Sequence, residues 1–501
     1  MGTGKIPGDD VPTPGRARTP IALLSIFALA LLIFGIRLAG AVHMPFFGGD
    51  EGMRLSLAYL PLIRMGNRIW LPMLQGHIWM FYLLGLPYYT FRLIPCFYFF
   101  VAMVFLGLFT WRRIAKLSGG LIFTLFLMFC FAFQWEVQRL SVELYQESIG
   151  LAFFYVLLWA GALELRPNRW LPLIAAGALL TREDFWIYLF AASVLNYKQI
   201  LSRKQYRRSF LFLWSVLGLW LLSTPFLYRR LSGRFPTFPT EWPLGINKQG
   251  GHAISHLSTS LADYFHWLVR SRSIYLATGL VIAWIILKVL GRAKDQSARA
   301  ADDFETRFRS FSFLSLAIIY FLVVAFHPWE HTSGSGRFAI PLLAQGFVWA
   351  GLLFARANSY PAPAKILARC ILVAALLLSL STDPRAWTFQ RDRQAEESVD
   401  RIAQLVQSAG PSGKANACIL MRNYWEALRL FAAPALYARW SLKPNQDMDS
   451  GNCDLIIQTT GSELLVPGEY YTKRSEYQLQ GRTYAVFQRI AHPPSPVPPG
   501  K

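Results

Sequence analysis

Long apolar runs separated by short polar segments dominate the first 382 residues. The first run, residues 20–42, has the length that an α-helix needs to cross a bilayer. Further runs of similar character follow, and each predicts a membrane helix. They cover residues 92–110, 120–135, 148–163, 209–227, 273–290, 311–326, 338–354 and 366–382.

Two shorter apolar pieces, residues 171–180 and 185–196, flank the polar sequence 181–184 (Thr-Arg-Glu-Asp). Each is shorter than the roughly 20 residues of an upright membrane helix. A single helix through both pieces would place charges in mid-membrane, which is costly. We therefore favour two short helices that meet at a recessed polar turn, which brings the prediction to about eleven transmembrane helices.

Two long loops interrupt the series of helices, at residues 43–91 and 228–272. The part of the first loop from 71 to 89 is rich in Trp, Tyr, Leu and Met, which is typical of a segment lying in the membrane interface. Another spanning helix is the alternative, although prolines and polar side chains interrupt this segment.

Basic side chains orient the predicted helices. We place the N-terminal tail in the cytoplasm and let successive helices cross the membrane in alternating directions. Every basic cluster then falls on the cytoplasmic side, as the positive-inside rule requires. The N-terminus is therefore predicted to be cytoplasmic and the C-terminus to lie outside. The basic clusters occupy residues 112–116, 166–169, 198–208, 288–309 and 356–369.

The same predicted topology places four polar clusters on the outer side of the membrane. The helices were counted from hydropathy alone, so this convergence is an independent indication of a site on that side. The clusters are Asp50-Glu51, Glu143 with Glu147, residues 182–184, and residues 327–337.

Composition agrees with a membrane protein. The chain has 501 residues, of which 54% are hydrophobic and 16% charged, whereas soluble proteins average about 25% charged residues. The net charge of +21 is explained by Lys and Arg in cytoplasmic loops. We expect no nucleic-acid partner, because the sequence lacks a basic, aromatic platform on which bases could stack.

The last part of the chain has a different pattern. Short apolar runs at 417–421, 454–458 and 483–488 predict strands of a small α/β domain on the outer face. Cys418 and Cys453 could pair there in an oxidising compartment, and two free thiols are the alternative. The predicted organisation is a disordered tail (1–19), a membrane domain (20–382), the α/β domain (383–491) and a second disordered tail (492–501).

Asp50 and Glu51 follow two glycines that let the backbone turn tightly where the first helix ends. A carboxylate at this place can act as a general base if an attacking hydroxyl comes within hydrogen-bond reach. Asp50 is our candidate base, and Glu51 could orient the acceptor or hold the base. Two solvated charges at a helix end are the alternative. The pair could also bind a divalent cation, but Asp-Glu alone is a weak metal signal.

His327, Glu330 and His331 have a spacing compatible with metal ligands, but Pro328 argues against a regular helix there. Hydrogen bonding to sugar or phosphate and a plain loop are the better interpretations, and we assign no metal ligand.

Four carboxylates are further candidates for substrate binding. Glu143 and Glu147 lie four residues apart and so share one helix face. They could contact the acceptor, and a solvated pair is equally compatible with the pattern. Glu183 and Asp184 in the polar turn are the other two candidates.

An Asp-Glu pair in the first outer loop resembles the acidic motif of the GT-C superfamily, multi-spanning glycosyltransferases whose donors are polyprenyl-phosphate-linked sugars. Residues 179–184 (Leu-Leu-Thr-Arg-Glu-Asp) are similar to a Thr-Arg-acid turn of bacterial members. Residues 337–342 (Arg-Phe-Ala-Ile-Pro-Leu) are similar to their late Arg-aromatic-x-x-Pro segment. Protein O-mannosyltransferases and lipid A aminoarabinose transferases share this arrangement, and the resemblance covers residues 20–382, mainly as topology.

The resemblance implies an inverting enzyme of the bacterial inner membrane. It would move a hexose or pentose from a polyprenyl-phosphate carrier to a hydroxyl of a lipid, glycan or protein acceptor on the outer face. Asp50 would take the proton. Arg337 and Arg182 would bind the donor phosphate, since arginine offers forked donors to phosphate oxygens. Arg337 could instead simply flank a helix, and Arg182 could instead pair with a neighbouring carboxylate.

Two other classes fit parts of the pattern. A secondary transporter or lipid flippase would also have many helices and intramembrane charges, but transporters usually show paired repeats and midplane sites. A polysaccharide polymerase or ligase that uses diphosphate-linked glycans would suit the large outer loops.

Overall fold

A computed structural model of the protein describes the parts of the chain to which every structural statement below refers. They are residues 18–43, 54, 72–84, 86, 88–165, 168–232, 272–290, 298–326, 339–380, 417–420, 455–459, 471–479 and 482–490.

The described part of the chain is mostly helical, with short 3-10 turns between some helices. The α-helices are α1 (Arg18–His43), α2 (Pro72–Leu83), α3 (Leu93–Ile114), α4 (Gly120–Ala132), α5 (Trp135–Leu140), α6 (Glu147–Trp159), α7 (Leu171–Leu179), α8 (Asp184–Leu195), α9 (Tyr197–Ser202), α10 (Lys204–Ser232), α11 (Ser273–Val289), α12 (Ala298–Phe326), α13 (Ile340–Arg356) and α14 (Ala362–Leu378).

Four of the described helices are long and apolar enough to cross a membrane. Shorter apolar helices, among them α4, α6, α8 and α11, accompany them. The protein is therefore a multi-pass membrane protein, and the total of about eleven membrane helices stays a prediction. The long apolar stretches are Thr19–Ala41, Thr90–Ile114, Lys204–Phe226 and Ile340–Ser359.

The short helices α7 and α8 confirm that the apolar pieces around residues 181–184 form two helices rather than one. Helix α2 has 12 residues, which makes it about 18 Å long at 1.5 Å per residue. The hydrocarbon core is about 30 Å thick, so α2 is too short to span it upright, which agrees with the interfacial interpretation of 71–89.

Helices α10 and α12 are longer than the sequence pattern predicted, because each begins among charged residues. Helix α12 starts at residue 298 instead of 311, and α10 starts at 204 instead of 209. Lys, Arg and Glu are good helix formers. A helix can therefore continue past the apolar run that hydropathy detects.

Helix α3 packs against α1, α4, α6 and α13. Its Gly107 permits close contact with α1 and α4. A Cβ at this position would lie 2.6 Å from the Sδ of Met128 and 2.7 Å from the Cγ2 of Ile26. Small residues bring α11 and α14 together in the same way, since a Cβ on Gly279 would lie 2.2 Å from that of Ala375.

The four strands within the described residues form one sheet in the order β1-β2-β4-β3. Strand β1 (Ala417–Leu420) is parallel to β2 (Leu455–Thr459), whereas β4 (Arg482–Arg489) is antiparallel to both β2 and β3 (Tyr471–Leu479). Strand β3 was missed in the sequence because it is mostly polar. The sequence also predicts helices at residues 396–408 and 425–430 of this domain, and both ranges lie outside the described residues.

Aromatic contacts show how the ends of the helices are arranged. Phe131, near the end of α4, packs on Phe347 in the first half of α13, with ring centroids 5.0 Å apart. Phe123, near the start of α4, stacks on Phe354 near the end of α13, at 3.7 Å. The start of α13 therefore lies at the same end of the bundle as the end of α4 and, through α5, the start of α6.

We call this the polar end, because buried polar side chains gather there. We call the opposite end the basic end. It carries the ion pairs Arg113–Glu164 and Arg356–Glu305. The buried polar residues of the polar end include Gln134, Glu136, Gln138, Glu143, Glu147 and Arg182, together with Arg37 and Arg54.

Candidate functional site

Arg182 bridges two carboxylates at the polar end. Its Nη1 lies 2.5 Å from the Oε1 of Glu147, at the first residue of α6. Its Nη2 and Nε donate to one oxygen of Asp184, at 2.7 and 2.9 Å. The side chains are 10%, 3% and 17% exposed for Arg182, Glu147 and Asp184. The polar turn is thus fastened to α6 by a largely buried ion-pair network.

A glycine makes room for this bridge. A Cβ on Gly150, one turn into α6, would lie 2.7 Å from the Cδ of Arg182. Because real Cβ atoms essentially never come that close to another heavy atom, a side chain at this position would displace the arginine. The absence of a side chain at Gly150 therefore lets Arg182 lie across α6 and reach Glu147.

Backbone groups fix the turn between α7 and α8. Thr181 Oγ1 donates to the carbonyl of Gly177 at 2.9 Å, and Trp186 Nε1 donates to the carbonyl of Leu179 at 2.9 Å. The backbone N–H of Met73 donates to the carbonyl of Leu180 at 3.1 Å. The start of α2 is therefore attached to the turn that carries Arg182.

Arg54 connects the first loop to this region. Its carbonyl accepts a hydrogen bond of 2.9 Å from Nε2 of the buried Gln75 on α2. Its Nη2 lies 3.5 Å from the Oε1 of Gln146, the residue before Glu147. Arg54 is itself buried. The sequence pattern did not single out Arg54 as a site residue, although its position four residues after Asp50 was a usable signal.

Glu143 lies between α5 and α6 and accepts a hydrogen bond of 2.7 Å from Nε of Arg139. The glutamate is buried, whereas the arginine side chain is 42% exposed. The alternative of a solvated pair of Glu143 and Glu147 does not hold, because each carboxylate is buried and paired with an arginine. Whether either contacts an acceptor stays a prediction.

Glu136 and Gln138 are two further buried polar residues that sequence reasoning did not single out as site residues. Both lie on α5, a helix of six residues that is too short to span a membrane. Within the described chain, Oε2 of Glu136 and both polar side-chain atoms of Gln138 have no hydrogen-bond partner. Burial raises the pKa of Glu136 to about 7, opposed by its own backbone hydrogen bond. This carboxyl is thus poised to change protonation near neutral pH.

Several predicted site residues lie outside the described residues, so the structure neither supports nor opposes their roles. Ala339, two positions after Arg337, is described and is buried at the start of α13. Among the described residues, no three His, Cys, Asp or Glu side chains come together in a way that could hold a metal ion. The undescribed site residues are Asp50, Glu51, His327, Glu330, His331 and Arg337.

The charges around Arg182 bear on its predicted role. One guanidinium faces the two carboxylates of Glu147 and Asp184, and Glu183 is the next residue along the chain. The positive charge is therefore already balanced within the protein. This matches the alternative in which Arg182 pairs with a neighbouring carboxylate, and phosphate binding by Arg182 stays a prediction.

No family model matches the chain, and no curated protein matches it. Among solved structures, it is similar to the crystal structure of ArnT from Cupriavidus metallidurans bound to undecaprenyl phosphate. The identity is 11% and the TM-score 0.54, over 95% of this chain and 99% of ArnT. The apo state of ArnT is also similar, with 12% identity and a TM-score of 0.41 over 94% and 98% of the two chains.

The comparison with the undecaprenyl phosphate complex shows that the two chains share a fold. The polytopic helical membrane fold that the sequence predicted is therefore a fold that this chain shares with ArnT.

Proposed function

We propose that the protein is a GT-C glycosyltransferase that takes its sugar from a polyprenyl-phosphate carrier. The observation that carries the proposal is the polar end, where buried arginines and carboxylates from distant parts of the chain meet in a bundle of apolar helices. Burying charged groups in a membrane costs free energy, so their presence there suggests a functional site. The shared fold with ArnT, a protein seen with undecaprenyl phosphate, supports this choice of donor.

The proposed reaction is a displacement at the anomeric carbon with inversion. The acceptor oxygen forms a bond to this carbon while the bond to the phosphate oxygen breaks. The polyprenyl phosphate leaves with the electron pair, and Asp50 takes the acceptor proton. The phosphate is already a good leaving group, so no protein acid is needed. A fixed cation stabilises the charge that develops on it.

Arg337 is the proposed phosphate ligand. It stands two residues before the buried Ala339, where α13 starts at the polar end. Asp50 stands four residues before the buried Arg54. Four residues of extended chain span at most about 14 Å. The proposed base and phosphate ligand are thus attached by short pieces of chain to described residues of the polar end.

Arg182 is proposed to act mainly as a positioning residue. It holds Glu147 and Asp184 in place, and these carboxylates would then face the sugar or the acceptor. The proposed location is a bacterial inner membrane, with the polar end on the periplasmic side and a lipid, glycan or protein acceptor.

The proposal is tested with purified full-length protein and a panel of labelled undecaprenyl-phosphate hexoses and pentoses. We expect transfer of label to an acceptor fraction from a cell envelope, and loss of transfer in Arg337→Gln. The matched control is Glu164→Gln, which removes a carboxylate at the basic end and should keep transfer. Movement of substrate across liposomes without sugar transfer would instead assign the protein to the transporters.

A further inference from the structure

A cavity of about 150 Å³ lies between helices α6, α7, α8, α10 and α12. Its mouth is toward the basic end, and its deep part reaches the residues that flank the polar turn. Its deep part is lined by buried apolar side chains, among them Leu179, Phe185 and Leu189. Along α7 it runs from Leu171 to Leu179, about 12 Å at the rise of an α-helix. Enclosed apolar cavities of this size accept apolar guests, so the apolar interior of this cavity suits a hydrocarbon segment.

The mouth of the cavity is polar. It is lined by the half-buried Asn168, Tyr206 and Ser209 and by the exposed Gln205. These residues lie before α7 and at the start of α10, toward the basic end. The cavity thus has an apolar interior and one polar opening.

Positive charge surrounds this opening. Nη1 of Arg203 lies 3.4 Å from the hydroxyl of Tyr206, and the guanidinium lies 5.6 Å from the centroid of its ring. Arg169 is exposed next to Asn168, and Lys204 is exposed next to Gln205. Between residues 196 and 232 the sequence contains no Asp or Glu. The charge at the mouth is therefore not balanced by carboxylates from α10.

We propose that this cavity binds a segment of one acyl chain of an anionic phospholipid whose headgroup lies against the basic residues at the mouth. The apolar walls suit hydrocarbon, and the basic side chains at the mouth suit a phosphate-bearing headgroup with net negative charge. Leu173 and Leu211, which are 55% and 61% exposed on the neighbouring faces of α7 and α10, place the cavity beside the lipid-facing surface. The headgroup position at the mouth is toward the basic end, whereas we assign sugar transfer to the polar end.

The test uses native mass spectrometry of the full-length protein in detergent with added phosphatidylglycerol, phosphatidylcholine or undecaprenyl phosphate. We expect one phosphatidylglycerol to be retained in preference to phosphatidylcholine. Ala192→Phe should fill the cavity and abolish this retention, whereas Ala28→Phe, at an exposed position of α1, should not. Equal retention by Ala192→Phe and the unaltered protein would overturn the proposal.

A surface variant tests the proposal independently of whether the Ala192→Phe protein folds. Arg203→Gln should weaken phosphatidylglycerol binding about fivefold, because one basic residue near an anionic surface contributes about that factor. Lys288→Gln, an exposed basic residue at the end of α11, is the matched control and should leave binding unchanged. If undecaprenyl phosphate displaces the retained phospholipid, the cavity belongs to the carrier lipid and the proposal is wrong.

Discussion

Because Arg182 bridges Glu147 and Asp184, we expect mutations of these residues to lower the stability of the protein strongly. We also expect the effect of one mutation to depend on whether the other is present. Arg182→Gln leaves Glu147, whose side chain is 3% exposed, without its cation. Breaking a buried ion pair by removing one partner costs about 3–5 kcal/mol, and we expect a loss of unfolding free energy in this range. Glu147→Gln should cost less, about 1–3 kcal/mol, because Arg182 keeps its two hydrogen bonds to Asp184.

The double variant Arg182→Gln/Glu147→Gln distinguishes a true interaction from two independent effects. It should cost less than the sum of the single variants by about 1–3 kcal/mol, since residues in one network are not additive. The assay is SDS-induced unfolding in mixed micelles, followed by tryptophan fluorescence. Glu476→Gln, which removes a carboxylate from the exposed ion pair with Lys473, is the control and should cost about 1 kcal/mol or less.

The interaction is absent if the losses of unfolding free energy of the two single variants sum to that of the double variant within about 0.5 kcal/mol. Additivity would mean that the two side chains do not depend on each other. The polar turn would then not be fastened to α6 through this ion pair, and the positioning role of Arg182 would be lost with it.

Three further predictions concern packing and pH. Gly150→Val should displace Arg182 and lower stability by about 1–3 kcal/mol, measured in the same unfolding assay. Gly279→Val should push α11 away from Ala375 and lower the stability by a similar or larger amount. Full stability of this variant would contradict the close packing of α11 and α14. Burial raises the pKa of Glu136 from 4.5 to about 7, so the folded state binds this proton more tightly than the unfolded state. Stability should therefore fall as the pH rises from about 5 to 8, by up to about 3 kcal/mol, and Glu136→Gln should lack this part of the pH dependence.

The sequence was most informative where the chain is apolar and periodic. Helices α3 and α11 begin within a residue of their predicted starts, because a long hydrophobic run in a membrane protein has few alternatives to a helix. The division into α7 and α8 was also predictable, since charges at 182–184 are incompatible with one continuous membrane helix.

Side-chain partners were less predictable than helices. The pairing of Arg182 with Glu147 joins residues 35 positions apart in the chain, and only packing decides which of several carboxylates an arginine meets. The space that Gly150 provides depends on the distance between α6 and the polar turn, which a single sequence does not specify. Glu136 and Gln138 lie on a helix too short to show periodicity, so their burial could not be read from the pattern.

Transfer of sugar by Asp50→Asn protein tests the central claim most directly. The measurement compares this variant with the unaltered protein in transfer from a labelled undecaprenyl-phosphate sugar, with undecaprenyl phosphate binding measured in parallel. We predict that transfer falls about 10²–10⁴-fold, as expected for loss of a general base, while binding of the carrier is kept. Full transfer activity in Asp50→Asn would contradict the account.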